Sequence, residues 1–141
     1  MQNIVVDNHE IPVCYYNTLI VGSGTASLSA AVRLKRVGQD DICIITDNIK
    51  NGTSRNTGSD KQTYYKLSDS SEIPDSPYLM AHDIYMGGAV HGDIALVEAL
   101  ASENSFYNLV SLGVPFPFNK WGGYTGYKTD HDSRSRGVSL G

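Results

Sequence analysis

Short apolar runs and one helical pattern alternate in the first third of the chain. One apolar run covers residues 16–21 and ends at Gly22, and a second, rich in β-branched residues, covers residues 42–45. Short continuous runs of this kind are typical of strands buried in a parallel sheet. Between them, apolar residues recur at three- and four-residue spacing until Gly38, which predicts a helix that ends there. The order strand, helix, strand predicts an α/β fold.

The segments around this unit carry their own signals. Residues 4–6 and 11–13 are apolar and are separated by four polar residues, which predicts a small hairpin or an edge addition to the sheet. Further along, Ser76 and Pro77 are the residue types preferred at the N-cap and first position of a helix, and Gly87 follows where that helix is expected to end.

A further helical pattern begins at Asp93, a residue type that caps helices, and Ser105 is predicted to restart it before Gly113 ends it. The tail that follows contains five glycines between Phe116 and the last residue. Because this composition lacks the periodicity of a helix or strand, the tail is predicted to be a loop that places cationic groups.

Composition narrows the class of protein. The chain has 141 residues, of which 40% are hydrophobic and 18% charged, so a globular domain is expected rather than a disordered chain or a coiled coil. Its net charge of −4 provides no basic field, so nucleic acid is not expected as a partner. Cys14 and Cys43 lack the spacing of a metal site, and no metal is predicted. The chain has no apolar run long enough to cross a membrane, and a cytoplasmic location is expected.

The clearest chemical signal is a Gly-x-Gly turn between the first strand and the first helix. Gly22 permits the tight turn, Gly24 lets the backbone approach a pyrophosphate, and the helix N-terminus offers unpaired N–H groups to that anion. Ser27 stands at the third small position of this fingerprint. The predicted pyrophosphate-binding residues are Gly22, Ser23, Gly24, Thr25, Ala26 and Ser27.

The end of the second strand is where such units hold a ribose. Thr46 occupies that position if the strand ends as usual, and Asp47 does so if the strand runs one residue further; alternatively, Asp47 caps the following turn. The chain then enters a segment of small residues that lets the backbone approach a large flat ring, whereas a nicotinamide enzyme usually passes directly into the next helix. The candidate ligands in this segment are Thr53, Ser54, Arg55, Thr57, Gly58 and Ser59.

These motifs resemble those of the flavoprotein subunits of the succinate dehydrogenase and fumarate reductase family. Residues 21–31 match its Val-Gly-Ser-Gly-x-Ala-x-x-Ser-Ala-Ala fingerprint, and residues 51–59 resemble its Gly/Ser/Thr-rich loop. Residues 92–116 are similar to the helix that leads to a Gly-Val-Pro-Phe turn near the dicarboxylate pocket. Residues 124–136 fall where the family has a glycine- and cation-rich loop.

The resemblance implies an FAD-dependent oxidoreductase that transfers hydride between flavin N5 and a carbon–carbon bond of a carboxylate-type substrate. It implies a Rossmann-like FAD-binding βαβ unit with a parallel sheet in residues 1–60, and an attached helical and loop segment in residues 61–141 that leads toward the substrate region. An electron-transfer partner is also expected. The residues it places near the substrate are Phe116, His131, Arg134 and Arg136, either arginine serving as a clamp for a carboxylate.

Three departures from the family pattern refine this picture. Ser27 replaces the usual glycine, and Thr46 stands where many relatives have glutamate. The Ser-His-Thr that tethers flavin in the respiratory enzymes reads Ser54, Arg55 and Asn56 here, so FAD is expected to be bound non-covalently. The family's proton-delivering arginine lies beyond position 141, so we expect a partial chain that is inactive, poorly soluble or oligomeric by itself and binds FAD weakly or not at all.

Two other functions fit the same pattern. A nicotinamide-dependent Rossmann dehydrogenase would share the Gly-x-Gly turn but would need an acidic ribose ligand and would lack the glycine-rich loop. A non-catalytic fragment that binds a nucleotide would share the turn without the chemistry.

Overall fold

The computed structural model describes residues 2–58, 63–68, 72–129 and 132–140. The chain divides into two compact units, Met1–Gly58 and Ser59–Gly141. The first unit contains β1 (Gln2–Val6), β2 (His9–Val13), β3 (Thr18–Val21), α1 (Thr25–Arg36), β4 (Ile42–Ile45) and α2 (Thr53–Asn56). The second contains β5 (Thr63–Tyr65), α3 (Pro77–Met86), α4 (Gly92–Ser111), β6 (Tyr127–Thr129) and β7 (Asp132–Ser139).

A parallel strand pair connected by a helix forms the centre of the first unit. Strands β3 and β4 pair in parallel, with Thr18 opposite Ile42 and Val21 opposite Ile45. Helix α1 connects them and packs on both. Gly38, with a φ of 88°, takes the left-handed conformation that ends many helices. The predicted α/β arrangement of strand, helix and strand is therefore confirmed.

The N-terminal apolar segments form the predicted hairpin. Strands β1 and β2 pair antiparallel, with Val6 opposite His9. Asp7 and Asn8 between them have φ values of 49° and 64°. Two successive residues with positive φ are what a two-residue type I′ hairpin turn requires, and Asp and Asn tolerate that conformation better than most side chains.

Helices α3 and α4 form the helical part of the second unit. The Ser76 hydroxyl caps α3 by accepting a hydrogen bond from the Leu79 N–H at 3.2 Å, and Pro77 begins the helix, as predicted. Helix α4 is continuous through Ser105, so the predicted restart there is wrong. Its N-cap is His91, and Asp93 lies in the first turn, where a carboxylate favours the positive end of the helix.

The second half of the glycine-rich tail forms strands rather than the predicted loop. Strands β5, β7 and β6 make an antiparallel sheet in that order, with Tyr64 opposite Val138 and Tyr127 opposite Gly137. The partners of β7 include residues more than seventy positions away, so the ladder is not visible in the local sequence. Glycine is favoured at position 137 because an added Cβ would be crowded, at 3.2 Å, against a methyl of Thr63.

Two apolar clusters form the core of the second unit. One joins α3 and α4 through Met80, Ala81, Ala95 and Ala99, and the small side chains of the three alanines let the helices approach closely. The other contains Phe106, Phe116 and Val138, with the rings of Phe106 and Phe116 centred 4.6 Å apart. Among the described helices, none combines the length and apolar character needed to cross a membrane.

Candidate functional site

The turn after β3 is held by backbone and hydroxyl hydrogen bonds. Gly22 has a φ of 99°, a conformation that favours glycine, and its N–H donates to the Ile45 carbonyl at 2.7 Å. The Ser27 hydroxyl donates to the Val21 carbonyl at 3.0 Å. The serine at the third fingerprint position therefore links α1 to the end of β3 by a hydrogen bond that a glycine there could not make.

Gly24 leaves space at the N-terminus of α1. Its φ of −78° and ψ of 178° suit any residue, so backbone conformation does not require glycine here. An added Cβ would meet only the Ser54 hydroxyl, at the ordinary contact distance of 3.5 Å. Because nothing in the part of the chain that the structure describes demands the glycine, its lack of a side chain is best explained by a group that approaches from outside.

The same helix end presents N–H donors. Gly24, the N-cap, has no side chain to satisfy them, and the first turn of α1 contains no acidic residue. The Thr25 N–H donates to the Ser54 hydroxyl at 3.1 Å, while the N–H groups of Ala26 and Ser27 lie too early in the helix for intrahelical partners. These donors and the helix dipole favour an anion at this position.

A second loop, residues 46–58, closes against the glycine turn. The backbone of Gly52 approaches so closely that an added Cβ would lie 3.2 Å from the Ser23 carbonyl oxygen. The hydroxyls of Ser23 and Thr46 hydrogen-bond each other at 3.1 Å, and Ser23 also donates to the Asn48 carbonyl. Asp47 is held differently, because its carboxylate accepts from the Asn51 side chain at 3.2 Å.

Comparison with known families identifies the family to which the chain belongs. The family model described as FAD binding domain matches residues 17–138 of the chain. The chain belongs to this FAD-binding family. It is the domain of succinate dehydrogenase- and fumarate reductase-type flavoproteins, so the cofactor is FAD and the enzyme class is that of flavin-dependent oxidoreductases. Neither the curated proteins nor the solved structures provide a match.

The remaining predicted cofactor residues of the FAD-binding domain lie in or beside α2. Thr53, Ser54 and Arg55 belong to this exposed helix, and the Thr57 hydroxyl donates to the Thr53 carbonyl at 2.6 Å. An added Cβ on Gly58 would meet nothing within 4 Å. Ser59 lies outside the described residues. Sequence reasoning missed Asn48 and Gly52, whose parts in the site depend on contacts more than twenty residues away.

In the second unit of the FAD-binding domain, Arg136 is engaged by protein groups. Its guanidinium is fully buried and binds both oxygens of Asp75, with Nε–Oδ2 and Nη2–Oδ1 distances of 2.8 and 2.6 Å. Its Nη1 donates to Asp83 at 2.8 Å, to Asp132 at 3.2 Å and to the Tyr65 hydroxyl at 3.1 Å. The expected role as a substrate clamp is therefore corrected for Arg136, since its donors point at carboxylates of the chain itself.

The charges around Arg136 shift the pKa values of its partners. Burial alone would raise the pKa of Asp75, but hydrogen bonds from Arg136 and from the Ser68 and Ser76 N–H groups outweigh it and lower that pKa. Burial would likewise raise the pKa of Asp83, but hydrogen bonds from Arg136 and His82 and the charges of Arg136 and Arg134 together lower it. Burial and the hydrogen bond to Asp132 raise the pKa of Tyr65 to about 12, which keeps its hydroxyl protonated as a donor to Asp132.

The other predicted substrate residues have separate surroundings. Arg134 is partly exposed; its guanidinium donates to the Pro74 carbonyl at 2.6 Å and lies 3.6 Å from Asp83. Phe116 packs in the apolar cluster with Phe106, so the structure gives it a core position rather than a ligand-facing one. His131 lies outside the described residues. Asp75 and Asp83 were missed as partners of Arg136 because they are 61 and 53 positions away from it in the sequence.

Proposed function

We propose that the Gly22–Ser27 turn and the N-terminus of α1 bind the pyrophosphate of FAD. The observation that carries this proposal is the unused space at Gly24 beside N–H donors. A pyrophosphate would meet the first-turn N–H groups of α1, and the Ser54 hydroxyl would lie beside it. No lysine or arginine is needed at this point, because the helix end itself supplies the favourable field.

The test is an FAD titration of an enzyme that contains this domain, in its original form and as two variants, Gly24→Ala and Gly24→Val. A methyl group fits the protein but intrudes on the ligand, so the alanine variant should fold normally and lose FAD affinity, and valine should abolish binding. Thermal melting without FAD shows whether each variant is folded. FAD binding by folded Gly24→Val that equals the original chain would refute this site.

We further propose that FAD is held without a covalent bond. Arg55 stands where the respiratory relatives carry the tethering histidine, and a guanidinium is not a nucleophile toward the flavin methyl group. Acid precipitation of the FAD-loaded protein should leave the yellow colour in the supernatant. Colour that remains in the pellet would contradict this proposal and would identify another attachment residue by peptide mapping.

The proposed reaction is hydride transfer at a carbon–carbon bond of a carboxylate-type substrate. The bound flavin supplies the redox chemistry, whereas this chain supplies the binding and orientation of the cofactor. In an enzyme that contains this domain, photoreduced flavin should be reoxidised anaerobically by fumarate and not by dimethyl fumarate. Equal reoxidation by the acid and the ester would exclude recognition of a carboxylate, while FAD binding would remain a separate result.

A further inference from the structure

A cleft in the second unit combines opposite charges with hydroxyl groups. Its volume is about 290 Å³, just below the usual range for small-molecule sites. One wall comes from Ser68, Glu72 and Ile73, which precede α3, and the other from β6, β7 and the two residues just before β6. The described residues that line it are Ser68, Glu72, Ile73, Thr125, Gly126, Lys128 and Ser135.

Arg134 and Arg136 hold one wall of this cleft in place. The Asp75 carboxylate, bound to Arg136, also accepts from the Ser68 N–H at 3.1 Å. Arg134 holds the other end of the same wall through the Pro74 carbonyl. A buried ion pair and a charge-assisted hydrogen bond thus position the polar lining before any ligand arrives.

Backbone strain is concentrated on the opposite wall. Ser135 has a φ of 58°, which is uncommon for a residue with a side chain. An added Cβ on Gly126 would overlap the Ser135 carbonyl oxygen, and the pairing of β6 with β7 shifts register between Tyr127 and Thr129. Strained residues and bulges of this kind cluster at binding sites, where they redirect side chains.

The chemistry of the lining selects the ligand. Lys128 offers an ammonium group, Glu72 a carboxylate, and Ser68, Thr125 and Ser135 offer hydroxyls. A simple anion would be repelled by Glu72 and a simple cation by Lys128, whereas a molecule with both charges satisfies the two together. We propose that this cleft binds a small zwitterion of the α-amino acid class, with its carboxylate toward Lys128 and its ammonium toward Glu72.

The probe is L-serine, compared with two analogues that each lack one charge. In 3-hydroxypropionate the ammonium is missing, and in ethanolamine the carboxylate is missing. Calorimetric titration of the full chain should show serine binding and at least tenfold weaker binding of each analogue. The measurement needs no flavin, so its failure leaves the FAD proposal untouched. Absence of serine binding, or equal binding of all three compounds, would overturn the proposal.

Variants locate the binding within the chain. Lys128→Met and Glu72→Gln should each lower serine affinity at least tenfold, while Lys120→Met, which removes an exposed cation beside Trp121, should leave it unchanged. Melting curves establish that the variants fold. The charge-swapped double variant, Lys128→Glu with Glu72→Lys, keeps one charge of each sign in the cleft and should recover part of the affinity. Affinity that is unchanged in both single variants would place serine elsewhere and refute the assignment.

Discussion

At the scale of single residues, hydroxyl groups hold the glycine turn in place through hydrogen bonds. Ser27 ties α1 to the end of β3, Ser54 meets the first N–H of the helix, and Ser23 reaches Thr46. Each is a single neutral hydrogen bond, of the kind that contributes about 1 kcal/mol to stability. They fix the shape of the turn without adding a charge that would compete with the cofactor phosphates.

Thr46 and Asp47 make different predictions for ribose binding. Of these two residues, only Thr46 is hydrogen-bonded to the glycine turn, through the Ser23 hydroxyl. Thr46→Val removes this hydrogen bond and should weaken FAD binding by about tenfold. That loss corresponds to roughly 1.4 kcal/mol, the size expected for one neutral hydrogen bond. Asp47→Asn keeps the size of the side chain and should change affinity by less than about twofold. FAD titrations of both variants provide the measurement, and a larger loss for Asp47→Asn would assign the ribose to Asp47 instead.

The glycine turn could be predicted from sequence because Gly22, Gly24 and the adjoining apolar runs are local features. The closing contacts could not, because Ser23 and Thr46 are 23 positions apart and Thr25 and Ser54 are 29 apart. Polar residues in a loop have many partners within reach of the chain, and only the folded backbone selects among them. The sequence therefore predicted the glycine turn better than the contacts that close around it.

At the scale of elements, Arg136 joins parts of the second unit that are distant in sequence. It lies in β7 and binds Asp75 just before α3, Asp83 within α3, and Tyr65 in β5. The sequence showed a cation in a glycine-rich tail and predicted an open loop. Alternation of buried and exposed positions in β7 is obscured because three consecutive residues, Arg136, Gly137 and Val138, are all buried.

Arg136→Met is expected to destabilise the second unit strongly. The change leaves the buried carboxylates of Asp75 and Asp132 without their main partner, and loss of one member of a buried ion pair costs about 3–5 kcal/mol. Arg33→Met, which removes an exposed cation from α1, should cost less than about 1 kcal/mol. Urea unfolding monitored by circular dichroism compares them, and similar midpoints for the two variants would contradict a supporting role for Arg136.

Acid should weaken the ion pairs of Arg136 with Asp75 and Asp83. Because the folded-state pKa values of Asp75 and Asp83 lie below their unfolded values, their contribution to stability is fully present above the unfolded value of about 4. It is lost as the pH falls through the lower folded values. Asp75→Asn should reduce this acid dependence and also lower stability at neutral pH, whereas Asp7→Asn in the hairpin turn serves as the control. Unfolding curves between pH 6 and 2 that keep the same acid slope in Asp75→Asn would refute the linkage.

On the scale of the whole molecule, the two units differ in how they bury apolar surface. The second unit has residues that are almost fully inaccessible, such as Ala95 and Phe106. In the first unit, Leu19 and Val21 on β3 remain 56% and 73% exposed, and α1 has no buried residue. A two-stranded sheet covered by one helix leaves apolar positions open to association.

We therefore expect the 141-residue chain to self-associate. Light scattering after gel filtration should show a mass that rises with protein concentration. Leu19→Thr, which places a polar β-branched residue suited to a strand on the exposed side of β3, should shift the chain toward monomer. A monomeric original chain that melts cooperatively and retains stoichiometric FAD through the column would show that the exposed strands need no covering partner.

The space at Gly24 separates two reasons for which a position can demand glycine. In a library that randomises this position, selection for protease resistance alone should admit alanine, because a methyl group meets only the Ser54 hydroxyl. Selection for FAD retention should admit glycine only. At Gly126 both selections should return glycine, since a side chain there collides with the backbone of Ser135. The residues accepted under the two selections thus distinguish a position where the protein itself leaves no room for a side chain, Gly126, from one where the ligand takes that room, Gly24.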